Sequence, residues 1–428
     1  AGGSDNTAQL FSWLFNALGE DIVFLPPKPI QQLRWYFDGT IHNGLEKFHS
    51  EQAVIAVIDH AGGSRPADAK LLRGICDQAS QKYNLQCLGA LAYWGEAGVL
   101  AVEKLLPLKQ KLAAVVMLQD FVIGGGEGRE VVTEILRQLN VPVLKAIKLR
   151  DRTSIERQLS SDGLAHEKVY YQVAMPELQG ASQPLVIATA GLISNDKTTG
   201  IRIQSVAPEK SGINSLLARV DRWNTLQSKA NIEKRIAIVY YNHPPGRHNI
   251  GADNLDVPAS LWQILGQLKA AGYNTGQLPA SEKELLDIMQ AQGVNLPRDV
   301  AELEKMSRLI SRMPASDYKN WFVKLPASVQ QEMENGPFGL LHEQLTMAIS
   351  EGKSELANDA LHHTLEEMHH LLEGVDHQGR ERALVLLESL ENCYLQAIKH
   401  NDAISCMDSA PKIISALQNT GIEGLGGW

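Results

Sequence analysis

Four short, unbroken apolar runs in the first 150 residues limit what this part of the chain can fold into. The runs are AVIAVID (53–59), NLQCLGALA (84–92), KLAAVVML (111–118) and NVPVLKAI (140–147). Strands that are buried on both faces read as solid apolar runs, and the helical patterns between these runs suit crossovers between parallel strands. The sequence therefore predicts an α/β fold, with doubly wound parallel-sheet domains followed by a helical C-terminal region.

Changes in this pattern divide the chain into four predicted segments. They are an α/β domain (1–150), a mixed α/β connecting region (151–232), a second α/β unit (233–325) and a helical region (326–428). In the connecting region, VYYQVAMPELQG, QPLVIATAG and IRIQSVA are predicted to be strands or extended segments. The second unit is predicted to begin with the strand RIAIVYYN (235–242), which leads into a loop and then a helix.

Composition restricts the class of protein. Of the 428 residues, 44% are hydrophobic and 21% are charged, which is typical of a globular chain. The formal net charge of −9 gives no overall attraction to nucleic acid or to an anionic membrane surface. No apolar run is long enough to span a bilayer. We therefore expect neither a nucleic-acid partner nor a membrane span.

The cysteines bear on the cellular compartment, and the chain ends bear on whether the sequence is a fragment. The cysteines Cys76, Cys87, Cys393 and Cys406 show no CxxC spacing and are too few for a disulfide framework, which favours a reducing compartment. A cytoplasmic location is predicted, with a removed signal peptide as the alternative. Because the chain begins without methionine and ends at the glycine-rich IEGLGGW, we expect a fragment of a longer protein.

The loop at 242–260 carries the densest group of chemically active side chains. It follows the predicted strand and precedes a helix, which is where open α/β sheets bind ligands. Its imidazoles can bind a metal ion or accept a proton, and its guanidinium can clamp a carboxylate. The residues concerned are His243, Arg247, His248, Asn249 and Asp256. The alternative is a solvated polar loop whose side chains cap turns and the following helix.

The same segment carries a resemblance. RIAIVYYNHPPGRHNIGADNLDVPASLWQILGQLKAAGYN (235–274) resembles the large subunits of ATP-dependent metal chelatases, namely the CobN-type subunit of cobaltochelatase and the H subunit of magnesium chelatase. The shared pattern is an apolar strand, Pro-Pro-Gly, a basic residue, Asn-Ile-Gly, Leu-Asp-Val-Pro and a helix ending in Ala-Gly-Tyr. Weaker similarity extends to LNVPVLKAI, AMPELQG and WFVKLP, while LLEGVDHQGRERALVLLESLENCY and TGIEGLGGW fit the CobN branch better.

The resemblance implies a function. It implies that the chain is part of a large subunit that binds a tetrapyrrole, either a corrinoid or a porphyrin, together with a divalent metal substrate. The implied reaction is insertion of cobalt into a corrin ring precursor in cobalamin biosynthesis, with magnesium as the alternative metal. ATP would be hydrolysed by AAA+ ATPase and adaptor subunits, since this chain has no GxxxxGK[ST] motif. Family members are much longer, so this fragment alone is expected to be inactive. The alternatives are a non-catalytic tetrapyrrole- or metal-binding module and a scaffold that docks the ATPase subunits.

Metal insertion sets the roles expected in the loop. The macrocycle loses its pyrrole protons while the ion loses water, so the site needs a base and transient nitrogen or oxygen ligands. We predict His243 and His248 to be catalytic in this sense. Arg247 is predicted to clamp a peripheral carboxylate, and Asn249 and Asp256 to orient the substrate.

A second candidate site lies in LHHTLEEMHHLLEG. His362, Glu366 and His369 recur at helical spacing on one face, and two imidazoles with a carboxylate can bind a transition metal. The alternative is the solvated flank of an amphipathic helix, in which His and Glu pair at i, i+4.

Two glycine-containing turns complete the candidates. GGGEG (124–128) follows an apolar strand and either cradles an anion or forms a flexible turn. DHAGGSR (59–65) lies at another strand end and could face a ligand cleft.

Overall fold

The computed structural model describes residues 4–29, 31–61, 66–160, 163–195, 197, 200–240, 255–292, 300–308, 312–402, 406, 408–422 and 424–425. The chain divides into two compact units. The first unit comprises residues 1–224 and 337–426, and the second comprises residues 225–336 and 427–428. This division joins the N-terminal part of the chain to its helical end, an arrangement that composition along the chain does not reveal.

Within the described residues, eight strands of the first unit form one sheet. They are β1 (Leu33–Phe37), β2 (Thr40–His42), β3 (Val54–His60), β4 (Gln86–Ala92), β5 (Leu112–Met117), β6 (Val143–Leu149), β7 (Ala181–Asn195) and β8 (Arg202–Pro208). Their spatial order is β2-β1-β4-β3-β5-β6-β7-β8. The inner strands from β4 to β7 are parallel, whereas β1, β2 and β8 pair antiparallel with their neighbours.

Helices cover both faces of this sheet. The helices up to residue 228 are α1 (Ser4–Ala17), α2 (Pro66–Tyr83), α3 (Glu96–Glu103), α4 (Gly125–Leu139), α5 (Ser154–Leu159), α6 (His166–Val169), α7 (Met175–Glu177) and α8 (Lys210–Ser228), of which α2, α3, α4 and α8 cover the sheet. One apolar core lies between the sheet and α3 and α4, and a second core lies between the opposite face and α2 and α8. The α/β fold with a doubly wound parallel sheet is therefore confirmed.

Burial on both faces explains why these strands form. Every residue of β5 and β6 is buried, including two lysines, Lys145 and Lys148. Helix α8 packs so closely on β7 that a Cβ atom at Gly212 would lie 1.9 Å from the carbonyl oxygen of Val186. Only glycine permits this approach, because any side chain there would overlap the strand backbone.

The connecting region confirms two predicted segments and corrects one. QPLVIATAG and IRIQSVA lie in β7 and β8, but VYYQVAMPELQG (169–180) is helical, and a π-helical turn, Tyr170–Ala174, joins α6 to α7. Its buried residues, Gln172, Met175, Pro176 and Gln179, recur at helical spacing. The prediction of an extended segment was wrong because it weighted the aromatic and β-branched residues, whereas both tyrosines lie on the exposed side of the helix.

The second unit is helical in the part that the structure describes. Its helices are α9 (Val257–Ala270), α10 (Glu282–Gln292), α11 (Val300–Met306), α12 (Ala315–Phe322) and the start of α13 (Ala327–Ser350). Residues 234–240 form neither a helix nor a strand, so the predicted strand RIAIVYYN is wrong over its described residues, 235–240. Tyr240 packs against Val257, Leu285 and Met289, so this end of the segment contacts α9 and α10. Its neighbour Val239 is 94% exposed.

The helical C-terminal region is confirmed. Beyond Gly336, where the backbone leaves the helical conformation, α13 continues in the first unit with α14 (Ser354–Glu373), α15 (Arg380–His400) and α16 (Ala410–Gln418). These helices enclose their own apolar core, to which α5 contributes Leu159. Among the helices described here and above, none is both long enough and apolar enough to cross a bilayer.

A polar pair lies at this helical core, with Tyr394 buried and His342 half-buried. Tyr394 is 2% exposed, and its hydroxyl forms a 2.6 Å hydrogen bond with Nδ1 of His342. Burial lowers the pKa of His342, an effect that Glu343 partly opposes, and burial also raises the pKa of Tyr394. The imidazole is therefore neutral in the folded protein over a wider pH range than in the unfolded chain.

The cysteines contradict the sequence-based prediction. Cys76 pairs with Cys87 and Cys393 pairs with Cys406, each in a disulfide bond. The prediction of reduced cysteines was wrong because the pairing depends on the fold, which places α2 beside β4 and α15 beside residue 406. Disulfides persist mainly in oxidising compartments, so cysteine usage gives no support for a reducing one.

Thiol titration of the denatured chain tests the disulfide pairing. We expect no reactive thiol before reduction and four after it, one from each cysteine. Replacing Cys76 and Cys87 together by serine should lower the free energy of unfolding by about 3 kcal/mol, because the loop constraint is lost from the unfolded chain. Alkylation of any of these cysteines without a reductant would contradict the pairing.

The His342–Tyr394 pair generates a pH prediction. Because the pKa of His342 is lowered on folding, the unfolded chain binds the proton more tightly, and stability should fall as the pH drops below the ordinary value of 6.5. Urea unfolding at pH 7.5 and pH 5.5 measures this loss, and His342→Gln should show a smaller one. Equal losses in both proteins would contradict the prediction. Tyr394→Phe should cost about 1 kcal/mol at either pH.

Candidate functional site

The strand order reverses between β3 and β5. From β3 the chain crosses to β4 on one side of the sheet, whereas β5, β6 and β7 follow on the other side. Open α/β sheets bind ligands in the crevice that forms at the carboxyl ends of the strands at such a reversal. Here the crevice lies between Asp59 and His60 at the end of β3 and Gln119, Asp120 and Phe121 after β5.

Four aromatic side chains form a continuous surface at this edge, which we call the aromatic row: Trp94, Phe121, Tyr170 and Tyr171. The Trp94 and Phe121 rings stack with centroids 5.4 Å apart and planes 14° apart. Phe121 contacts Tyr171 at 5.3 Å, and Tyr171 contacts Tyr170 at 5.2 Å. Trp94 is 50% exposed and Tyr171 is 54% exposed. Exposed rings in contact can receive the face of a flat ligand.

The indole of Trp94 rests on the start of α4. Gly124 and Gly125 both have positive φ angles, and a Cβ atom on Gly125 would lie 2.6 Å from Nε1 of Trp94. Any other residue at Gly125 would displace the indole, so this turn has a packing role. The prediction that GGGEG cradles an anion therefore stays without support from these contacts.

A buried ion pair lies beneath the crevice. The Nζ atom of Lys148 is 2.6 Å from Oδ1 of Asp59, and the two side chains are 4% and 2% exposed. The same Oδ1 accepts the backbone N–H of His60 at 2.7 Å. Because β5 lies between β3 and β6, this pair ties together two strands that are not neighbours.

A second polar cluster surrounds Lys145. Its ammonium group donates to the carbonyl oxygen of Gln119, and burial lowers the pKa of Lys145 to about 8, although Asp120 opposes this shift. The amide of Gln172 donates to Oδ1 of Asp120 at 3.2 Å. Among the described residues, Oε1 of Gln172 is buried with no hydrogen-bond partner. The crevice therefore combines an exposed aromatic surface with a buried set of charged groups.

Sequence reasoning found only part of this site. DHAGGSR was predicted to face a ligand cleft, and the structure places its Asp59 and His60 at the crevice, while residues 62–65 lie outside the described part. The aromatic row and the two buried lysines were missed. A signal for the lysines was present, since Lys145 and Lys148 interrupt an apolar strand pattern, and lysine is almost never fully buried without a partner.

Most of the loop predicted to carry the site lies outside the described residues. This applies to His243, Arg247, His248 and Asn249. Asp256 is described, and it caps α9, because its Oδ1 accepts the backbone N–H of Ala259 at 3.0 Å. The observed contact of Asp256 is therefore the helix-entry role that the sequence left open as the alternative.

The histidine-rich helix is exposed along the predicted metal-binding face. His362, Glu366 and His369 all lie on the solvent side of α14. On the neighbouring row, His363 lies 3.5 Å from Glu367. In the described part of the chain, no group of three His, Cys, Asp or Glu side chains has a geometry that could bind a metal ion. Metal binding by His362, Glu366 and His369 gains no support from these positions and stays a prediction.

A cavity of about 800 Å³ lies beside the end of β6 in the same unit. It is lined by Asp151, Arg152, Glu156, Ser160, Gly352, Lys353, Ser354, Glu355, Leu356 and Asp359. Lys353 spans it to form a 2.6 Å ion pair with Glu156. Its charged walls suit a flat apolar ligand less well than the aromatic row does.

Comparison with known proteins finds relatives of this chain. A family model described as CobN/Magnesium Chelatase matches residues 1–357. The magnesium-chelatase subunit ChlH of rice, Oryza sativa subsp. indica, is 35% identical over 178 residues, which cover 41% of this chain and 12% of the rice protein. The aerobic cobaltochelatase subunit CobN of Pseudomonas aeruginosa is 27% identical over 340 residues, which cover 77% of this chain and 26% of that protein.

A solved structure shares the fold. The catalytic subunit of cobaltochelatase from Mycobacterium tuberculosis superimposes on 78% of this chain with a TM-score of 0.51 and 20% sequence identity. The matched part is 26% of that subunit. The chain thus spans between 12% and 26% of the length of these relatives.

The buried ion pair gives a stability prediction. Asp59→Leu would leave the Lys148 charge buried without a partner, so we expect it to lower the free energy of unfolding by about 3–5 kcal/mol. Replacing both residues, in Asp59→Leu with Lys148→Met, should recover most of that loss. The matched control is Glu134→Gln, which breaks an exposed ion pair with Arg137 and should leave stability unchanged. An Asp59→Leu variant as stable as this control would contradict the assignment.

Proposed function

The chain belongs to the CobN/magnesium chelatase family, and from that premise we propose that it is part of the large, tetrapyrrole- and metal-binding subunit of an ATP-dependent metal chelatase. The observation that carries the proposal within the chain is the aromatic row at the strand-order reversal. A tetrapyrrole is a broad, flat ring system with carboxylates at its rim. Stacked, half-exposed rings match its face, and neighbouring cations match its rim.

The charge distribution at the carboxyl edge supports this ligand class. The whole chain carries a net charge of −9, so a carboxylate-rich ligand depends on local positive groups. Lys145 and Lys148 lie within β6, and Arg150 and Arg152 follow it at the same edge. Lys145 and Lys148 are buried and lie next to Asp120 and Asp59, so the cations of this stretch that lie nearer the surface are Arg150 and Arg152.

Insertion chemistry is proposed for the loop at 242–260. We propose that His243 and His248 accept the pyrrole protons and ligate the entering ion, while Arg247 and Asn249 bind the ring substituents. Asp256 would act through the helix that it caps. His362, Glu366 and His369 are proposed as a separate metal contact on α14.

The finer assignment follows the CobN branch. We propose cobalt as the metal substrate and a corrin ring precursor as its acceptor, with magnesium and a porphyrin as the alternative pair. ATP would be hydrolysed by AAA+ ATPase and adaptor partners, because the sequence carries no P-loop. This chain alone would then bind substrate without completing insertion.

We propose a cytoplasmic location because the partner subunits need ATP. A cytoplasmic location gives the partner subunits access to ATP. The two disulfide bonds count against it, because such bonds persist mainly in oxidising compartments. Alkylation of thiols in intact cells before lysis decides between the cytoplasm and an oxidising compartment, since a cytoplasmic chain would be labelled at its cysteines.

Titration with metal-free deuteroporphyrin tests the ring-binding proposal. We expect the porphyrin absorbance band to shift on binding, and Trp94→Ala to raise the Kd about tenfold, because one stacked contact is lost. The matched control is Trp13→Ala, which removes an equally exposed indole from α1 and should leave the Kd unchanged.

The same titration separates the alternative functions. If the wild-type chain gave no absorbance shift, both the chelatase and the binding-module functions would fail, and the scaffold function would replace them. His243→Ala and Arg247→Ala should weaken binding, and unchanged affinity in both would show that the loop assignment is wrong.

A further inference from the structure

A histidine lies at the crevice where the sheet reverses its strand order. His60 is the last residue of β3, and its side chain is exposed. Its backbone N–H donates to Oδ1 of Asp59 at 2.7 Å, and Asp59 is in turn bound by Lys148. The imidazole is therefore carried on the rigid end of a buried strand, and the ion pair fixes the backbone beneath it.

His60 lies on the same face of the sheet as the aromatic row. Side chains alternate along a strand, and Ile58 packs into the core beneath α3 and α4, so His60 points to that face as well. Its ring lies 6.0 Å from that of Tyr93, edge to face. Trp94, the next residue, rests on the start of α4 on the same side.

The register places the imidazole close to the stacked rings. His60 pairs with Ala92 on the neighbouring strand, and Trp94 is two residues further along. Trp94 lies just beyond the end of β4, next to Tyr93, whose ring is 6.0 Å from that of His60. The exposed imidazole and the aromatic row therefore lie at the same strand ends.

We propose that His60 is an axial ligand of the metal in a metallated tetrapyrrole that stacks on the aromatic row. This inference rests on the proposed function. The imidazole lone pair forms one bond to the metal and displaces one bound water, with no change of oxidation state. Neutral imidazole suits cobalt, zinc, nickel and iron, whereas magnesium prefers oxygen ligands.

Cobalt(II) deuteroporphyrin supplies the test. Its electron paramagnetic resonance spectrum acquires a three-line splitting when a single nitrogen binds axially. We expect this splitting with the wild-type chain and its loss in His60→Ala, with recovery when free imidazole is added. The Kd for the cobalt porphyrin should rise about tenfold in His60→Ala, the lower end of what lost contacts at a metal cost.

Controls keep the test specific. His400→Ala removes another exposed histidine, at the end of α15, and should keep the splitting. His60→Ala should bind metal-free deuteroporphyrin with wild-type affinity, which also shows that it folds. Should the splitting persist in both His60→Ala and His60→Gln, the inference is overturned while ring binding stands. A wild-type chain that bound neither porphyrin would instead overturn the proposed function, and the inference with it.

Discussion

The buried ion pair between Asp59 and Lys148 is the constraint on which the candidate site depends. Taking two charges out of water costs several kcal/mol, and the attraction between them repays this only when further hydrogen bonds satisfy the groups. Asp59 meets that condition by accepting both the Lys148 ammonium and the His60 backbone N–H. The pair links β3 to β6 across β5, and the crevice lies between the ends of β3 and β5. A pair of apolar residues could fill the same space without fixing the backbone at His60.

At this edge Lys148 is paired with Asp59 and Lys145 lies near Asp120, whereas the whole chain carries a net charge of −9. An acidic protein repels a carboxylate-rich ligand at long range, but within about 10 Å the local charges dominate. Burial also favours the neutral form of the Lys145 side chain. With its pKa lowered to about 8 and its proton directed at the carbonyl oxygen of Gln119, this lysine holds the turn that leads into Phe121. The buried polar groups therefore help to position the aromatic row.

The sequence predicted those elements whose signal is local. Strands β3, β5 and β6 were predictable because burial on both faces leaves an apolar run in each. The helical turn around Gln172 was not, because tyrosines favour strands on average and only their exposure shows otherwise. The disulfides were missed for a different reason, since Cys76 and Cys87 become neighbours only once α2 lies beside β4. The crevice itself depends on strand order, which no spacing within a single strand encodes.

Burial separates the polar groups of the crevice by role. Asp59, Lys145, Lys148 and Gln172 are all buried, and the hydrogen bonds described for them go to the protein itself. These groups can shape the site but cannot reach a ligand without the fold opening. His60 is exposed and its backbone is bound by Asp59, whereas Trp94 is half-exposed and rests on Gly125 at the start of α4. Under the proposed function, a bound ring would contact the exposed groups, while the buried groups hold the backbone at the crevice. A substitution among these buried groups should consequently change the free energy of unfolding more than it changes the side chains that a ligand would contact.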